Sequence, residues 1–219
     1  LLMLAHPLGM TQAVWDDMIP ALLNSFRVLT WDLPGHGASA AWPEASDQIA
    51  PEDLAQEALA LATAAEAQRF HFAGTSIGGV IGQQLVSKHA DRLLSATLTN
   101  TGAVIGTPDA WNTRSASVLE LGLSTMAVDI VPRWFGPSVC EQQPALVEGW
   151  RVIMGRGDNR SYALLCEMLG RVDFREMLGE QRVPLRLVGG SDDVATPPDT
   201  LRALDDVSGA AEPVILDQV

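Results

Sequence analysis

Cysteine is nearly absent: Cys140 and Cys166 are the only two in 219 residues. They stand too far apart for a C-x-x-C motif and are too few to staple a fold, which excludes a disulfide scaffold. Basic residues are also scarce, 14 against 27 acids, for a net charge of −13. A surface of that sign repels a phosphate backbone and argues against a nucleic-acid partner. No apolar run approaches the about 18 residues that a membrane-spanning helix needs. The smoothest stretch, Ala55 to Ala65, is broken by Gln56 and Glu57. Internal repeats, low-complexity linkers and a secretory signal are missing too, and the expectation is a reduced, cytoplasmic protein. The chain opens on Leu1, inside an apolar run and without methionine, so further residues are expected before it.

What is present suits a globular protein. Apolar residues make up 47 % and charged residues 19 %, and the length allows one core domain with a lid. The first hundred residues alternate short apolar runs with helical patterns. Strands are expected over Leu1 to Ala5, Phe26 to Trp31, Phe70 to Ala73 and Leu93 to Thr99. Helices are expected over Ala13 to Leu23, Pro51 to Gln68 and Ile77 to His89, from apolar residues at helical spacing and from Pro51 followed by acids. That alternation implies a mostly parallel α/β sheet with helices on both faces. From Asp109 to about Leu178 the pattern is nearly all helical, with breaks expected at Pro132, Gly136-Pro137, Gly155 to Asn159 and Gly170. The sheet then resumes at Leu185 to Val188, with a helix over Pro198 to Val207 and a last strand from Pro213 to Leu216. The expected organisation is a core of residues 1–101 and 184–219, with residues 102–183 inserted as a helical lid.

Gly74-Thr75-Ser76-Ile77-Gly78 is a G-x-S-x-G sequence. Alone it is a weak signal, and a Gly-rich turn with a capping serine would look the same. Its setting, between an expected strand and an expected helix, is the one in which such a serine is a nucleophile on a strained turn. Attack on a carbonyl places negative charge on the carbonyl oxygen, which backbone N–H groups hold. Ile77, directly after the serine, is one candidate donor. The loop His6-Pro7-Leu8-Gly9 supplies the other unless it is only a strand-ending turn; Pro7 has no N–H, which leaves Leu8. An acid and a histidine complete such a site in the order Ser, Asp or Glu, His. Asp192 and Asp193, after the strand at Leu185, are both candidates. Asn100, at the other suitable strand end, is not an acid. None of the four histidines (His6, His36, His71 and His89) follows Asp193, and none is assigned as the base.

These residues resemble the α/β-hydrolase superfamily and, within it, the 3-oxoadipate enol-lactonase group. The resemblance covers almost the whole chain. It runs through Val28 to Ser39 with its Asp32-Leu33-Pro34-Gly35-His36-Gly37 turn, the elbow at Ser76, Gly106 to Arg114, Arg133-Trp134-Phe135 and Gly190 to Pro198. It implies Asp193 as the acid, a histidine beyond residue 219 as the base, and two early strands before Leu1. Val104 stands where enol-lactonases often carry a basic residue. Eight of the thirteen arginines lie between Gly102 and Val183, where they nearly balance ten acids, so most of the negative charge is elsewhere. Arg114 and Arg133, beside Trp111 and Trp134 in lactonase-like stretches, are therefore candidates to bind an anionic substrate group. The implied activity is hydrolysis of a small ester or lactone through an acyl-serine, with no cofactor and no metal. A general carboxylesterase, a C–C bond hydrolase, a cofactor-free perhydrolase and a catalytically dead pocket-binding protein are the alternatives.

Overall fold

The computed structural model describes residues 1–179 and 183–218. Residues 180–182, near the end of the expected lid, and residue 219 lie outside that description. The chain begins with β1 (Leu2–Ala5), a 3-10 turn (Gln12–Trp15), the short α1 (Ile19–Leu22) and β2 (Val28–Trp31). It continues through α2 (Pro51–Ala64), β3 (Phe70–Thr75), α3 (Ile77–Lys88) and β4 (Leu93–Thr99). Five helices follow: α4 (Pro108–Leu121), α5 (Leu123–Ile130), α6 (Pro137–Gln142), α7 (Pro144–Gly155) and α8 (Asn159–Arg171). Strand β5 (Leu185–Gly190), α9 (Pro198–Ser208) and β6 (Val214–Leu216) close it.

The six strands form one sheet in the order β2-β1-β3-β4-β5-β6, with every pairing parallel. Alternation along each strand sends side chains to opposite faces. Leu2 and Leu4 of β1 pack with Trp15, Ile19 and Leu22 on one face. Met3 and Ala5 join Phe70, Phe72, Leu54, Ala58 and Ile81 on the other, beneath α2 and α3. Both faces are thus covered, as a parallel sheet requires.

Two expected elements differ from the observed ones. The helix read over Ala13 to Leu23 is split into a 3-10 turn and α1. Pro20 has no N–H to continue an α-helical ladder through Asp16, so the chain closes i to i+3 turns there instead. Helix α2 stops at Ala64 because Glu66 turns left-handed at φ 56 and Ala67 N–H donates back to the Ala62 carbonyl. Gly170 falls at the expected break, one residue before α8 ends at Arg171. It lets α4 come close, since an added Cβ would lie 3.3 Å from the Trp111 Cβ and 3.5 Å from the Pro108 Cα.

Candidate active site

Strand order brings the expected residues to one edge of the sheet. The chain leaves β1 toward β2 but returns to place β3 on the other side of β1, so the loops after β1 and β3 diverge over a crevice at their C-terminal ends. The pairing of Ala5 with Gly74 puts the His6 to Gly9 loop and Ser76 side by side. Strands β4 and β5 continue the row, with Thr99 paired to Thr75 and to Val188.

Ser76 sits between β3 and α3 with φ 56 and ψ −114, a conformation that L-residues rarely adopt. Its N–H donates to the Thr99 carbonyl at 2.9 Å, and its own carbonyl accepts from Val80 N–H at 3.1 Å and from the buried Thr101 hydroxyl at 3.0 Å. The turn is tight enough to demand both glycines of the motif. An added Cβ on Gly74 would overlap the Gly78 carbonyl, and one on Gly78 would overlap the Ala5 carbonyl at the end of β1. Ile77, wholly buried, opens α3, and the first N–H groups of a helix have no intrahelical acceptor.

Leu8 is buried in a loop fastened to the turn after β2 by two reciprocal bonds. Leu33 N–H donates to His6 Nε2 at 2.9 Å, while Gly9 N–H donates to His36 Nε2 at 3.0 Å. Each ring donates from Nδ1 to a backbone carbonyl, His6 to Pro7 at 2.8 Å and His36 to Pro34 at 3.0 Å. Both rings are therefore neutral with the proton on Nδ1. Burial disfavours the charged form of each: His6 is lowered to about 3, with the neighbouring His36 adding to the effect, and His36 is lowered as well. Asp32 adds a third tie, accepting from Gln12 N–H at 2.8 Å and Ala38 N–H at 2.9 Å. His71 bonds Ser95 and His89 bonds Glu52, so all four histidines are engaged away from Ser76.

Asp193 and Asp192 differ sharply. Asp192 is exposed and touches the Ser191 hydroxyl. Asp193 is half-buried and accepts four hydrogen bonds: Ala195 N–H (2.8 Å) and Thr196 N–H (2.9 Å) on Oδ1, and the Thr196 hydroxyl (2.6 Å) and the Asn100 amide (2.8 Å) on Oδ2. Burial opposes its charge, but these donors outweigh burial and hold its pKa below the usual carboxylate value. Sequence reasoning noted Asn100 only as a position lacking an acid; its bond to Asp193 spans 93 residues and has no local signature.

Helices α4 to α8 reach the same edge. Added atoms on Gly9 would meet Trp134 at 3.0 Å and Tyr162 at 3.4 Å, so these two aromatics press on the Leu8 loop. Arg114 lies over the Trp111 ring at 4.9 Å, beside the Tyr162 hydroxyl and the Cys166 thiol, whose pKa burial pushes up to about 12. No carboxylate pairs with Arg114 among the described residues. Arg133 is exposed on a 3-10 turn next to Trp134. A cavity of about 330 Å³ between the start of α2 and the end of α8 is lined by residues such as Ile49, Glu52, Arg171 and Phe174, and by neither Ser76, Asp193 nor the Leu8 loop. Among the described residues, no group of three or more His, Cys, Asp or Glu side chains could hold a metal ion, and no helix is long and apolar enough to cross a membrane.

A parallel sheet with a strained serine at the turn from β3 into α3 defines a class, and the sequence agrees: the chain belongs to the α/β-hydrolase fold family, whose model matches residues 1–145. Its relatives include 3-oxoadipate enol-lactonase 2 of Acinetobacter baylyi, 31 % identical over 198 residues, which are 89 % of this chain and 72 % of that protein. The pimeloyl-[acyl-carrier protein] methyl ester esterase of Vibrio atlanticus is 31 % identical over 206 residues, covering 87 % of this chain and 76 % of that one. The crystal structure of the enol-lactonase from Burkholderia xenovorans LB400 matches with a TM-score of 0.91 at 30 % identity, covering 99 % of this chain and 81 % of that chain.

Proposed function

We propose that this protein hydrolyses a small ester or lactone by way of an acyl-enzyme on Ser76. The fold and the named relatives carry the ester or lactone chemistry. The observation that carries the mechanism is the positive φ of Ser76 at the strand-to-helix turn, which lifts its side chain out of the regular path of both elements. Ser76 Oγ bonds to the carbonyl carbon and gives its proton to a histidine base. The carbonyl oxygen takes the negative charge, and the N–H groups of Ile77 and Leu8 hold it. Collapse of that intermediate breaks the bond to the alkoxide, which takes the proton from the histidine; in a lactone the alkoxide stays tethered to the acyl chain. Water activated by the same histidine then releases the acid and restores Ser76. His6, His36, His71 and His89 are engaged away from Ser76, and the acid read to orient the base is Asp193. No cofactor enters any step.

Residues 102–183 act as the lid and the remaining residues as the core. Trp134 closes on the Leu8 loop. Arg114, stacked on Trp111 and free of a carboxylate partner among the described residues, is the better placed of the two arginines to grip an anionic group, with Arg133 at the rim. Free thiols at Cys140 and Cys166 suit a cytoplasmic setting. A fluorophosphonate probe tests the nucleophile. It should label the full-length enzyme once and fail to label Ser76→Ala, and full labelling of that variant would overturn the assignment.

A further inference from the structure

Three of the four hydrogen bonds on Asp193 come from its own turn, from Ala195 and from Thr196 twice. The fourth alone arrives from another strand. Asn100 follows Thr99, whose carbonyl receives the Ser76 N–H at 2.9 Å, and its own N–H donates to Val188 of β5 at 3.0 Å. Its backbone is left-handed, at φ 47, which swings the residue out of β4, and its amide reaches Asp193 Oδ2 at 2.8 Å. The amide's orientation is unambiguous, because an ionised carboxylate only accepts. One residue thus spans from the strand end that anchors Ser76 to the carboxylate proposed as the acid.

We propose that Asn100 is a positioning residue that ties Asp193 to the strand end beside Ser76 and, by occupying part of Oδ2, tempers how strongly that carboxylate stabilises the protonated base. The inference rests on the reading of Asp193 as the acid. A hydrogen bond to a carboxylate disperses its charge. Deleting the bond leaves more charge facing the imidazolium and raises the pKa of the base.

The test is the pH dependence of kcat/KM for the full-length enzyme on a small ester, since its acid limb reports the base in the free enzyme. Asn100→Gly is the cleaner deletion, because glycine accepts the left-handed backbone without strain, and Asn100→Ala removes the amide while keeping the Cβ. The acid limb should move up by about half a unit or more in both Asn100→Gly and Asn100→Ala, with KM little changed. A merely structural asparagine would lower the amount of active enzyme and leave the limb in place. An acid limb within about 0.2 units of wild type in both variants therefore overturns the proposal. Asp193→Asn in parallel separates the two layers: a rate loss of about 10⁴ keeps Asp193 as the acid whatever Asn100 does. A wild-type rate in that variant removes the acid assignment and this inference together.

Discussion

Two buried histidines hold the loop around Leu8, and both do so as hydrogen-bond acceptors at Nε2. Protonation would turn each acceptor into a donor facing a backbone N–H, which is why burial and this pairing keep both rings neutral. The sign of the pH effect follows. Below the ordinary histidine value near 6.5 the unfolded chain takes up protons that the folded chain refuses, so stability is complete above that pH and falls as pH drops toward the folded value of about 3 for His6. His6 should contribute up to about 1.4 kcal/mol per pH unit in that window, and His36, lowered too, acts in the same direction. Urea titrations between pH 7 and 4.5 should show this slope shrink in His36→Gln, whose side-chain amide is uncharged in that range; an unchanged slope would count against the clamp. At this scale legibility was uneven. The serine motif and the paired aspartates were visible as local strings, although spacing left Asp192 and Asp193 undivided. The bonds of His6 and His36 each link residues 27 apart, and no local pattern announces them.

At the scale of elements, the strands and long helices were readable because burial on both faces of a parallel sheet demands continuous apolar runs. Expectation failed where a single residue is used against its average behaviour. Pro20 splits a run whose apolar spacing looks helical, whereas Gly170 stands where expected, one residue before the end of α8, and also gives α4 room. The glycines of the elbow obey the same rule of close approach, and Gly78 shows how strictly. Alanine there would gain up to about 1 kcal/mol in helix propensity. Its methyl would meet the backbone carbonyl of Ala5, which has no rotamer to yield. Overpacking of this kind costs about 1–3 kcal/mol, and about 2–4 °C of Tm accompanies each kcal/mol at this size. Gly78→Ala should therefore lower Tm by several degrees. Because α3 shifts away from β1, it should also depress kcat more than KM by moving the Ile77 N–H from the Leu8 loop. A Tm at or above that of wild type would mean that the elbow has slack.

The whole molecule sets a charge problem for any anionic substrate. Its net charge is −13, while the segment carrying α4 to α8 is almost balanced by its arginines. That unevenness was legible by counting; what counting could not show is that Arg114 lies stacked on Trp111 at 4.9 Å rather than spent on a surface ion pair. An anionic ester approaching such a molecule meets long-range repulsion first and local attraction only inside the site. Salt separates the two. At about 0.15 M the Debye length is near 8 Å, so the distant field is largely screened while a bidentate contact at Arg114 is not. For a carboxylate-bearing ester, kcat/KM should thus rise as ionic strength goes from about 10 mM to 150 mM, while the value for its neutral analogue stays flat. Arg114→Ala should lower kcat/KM for the charged ester at every salt concentration and leave the neutral ester nearly unchanged. Arg133→Ala, at an exposed position, should have the smaller effect. If salt lowers kcat/KM for the charged ester in wild type, attraction at the mouth of the site outweighs the global field, and the exposed Arg133 becomes the better candidate. If Arg114→Ala leaves the ratio of the two esters unchanged, that arginine does not read the substrate's charge.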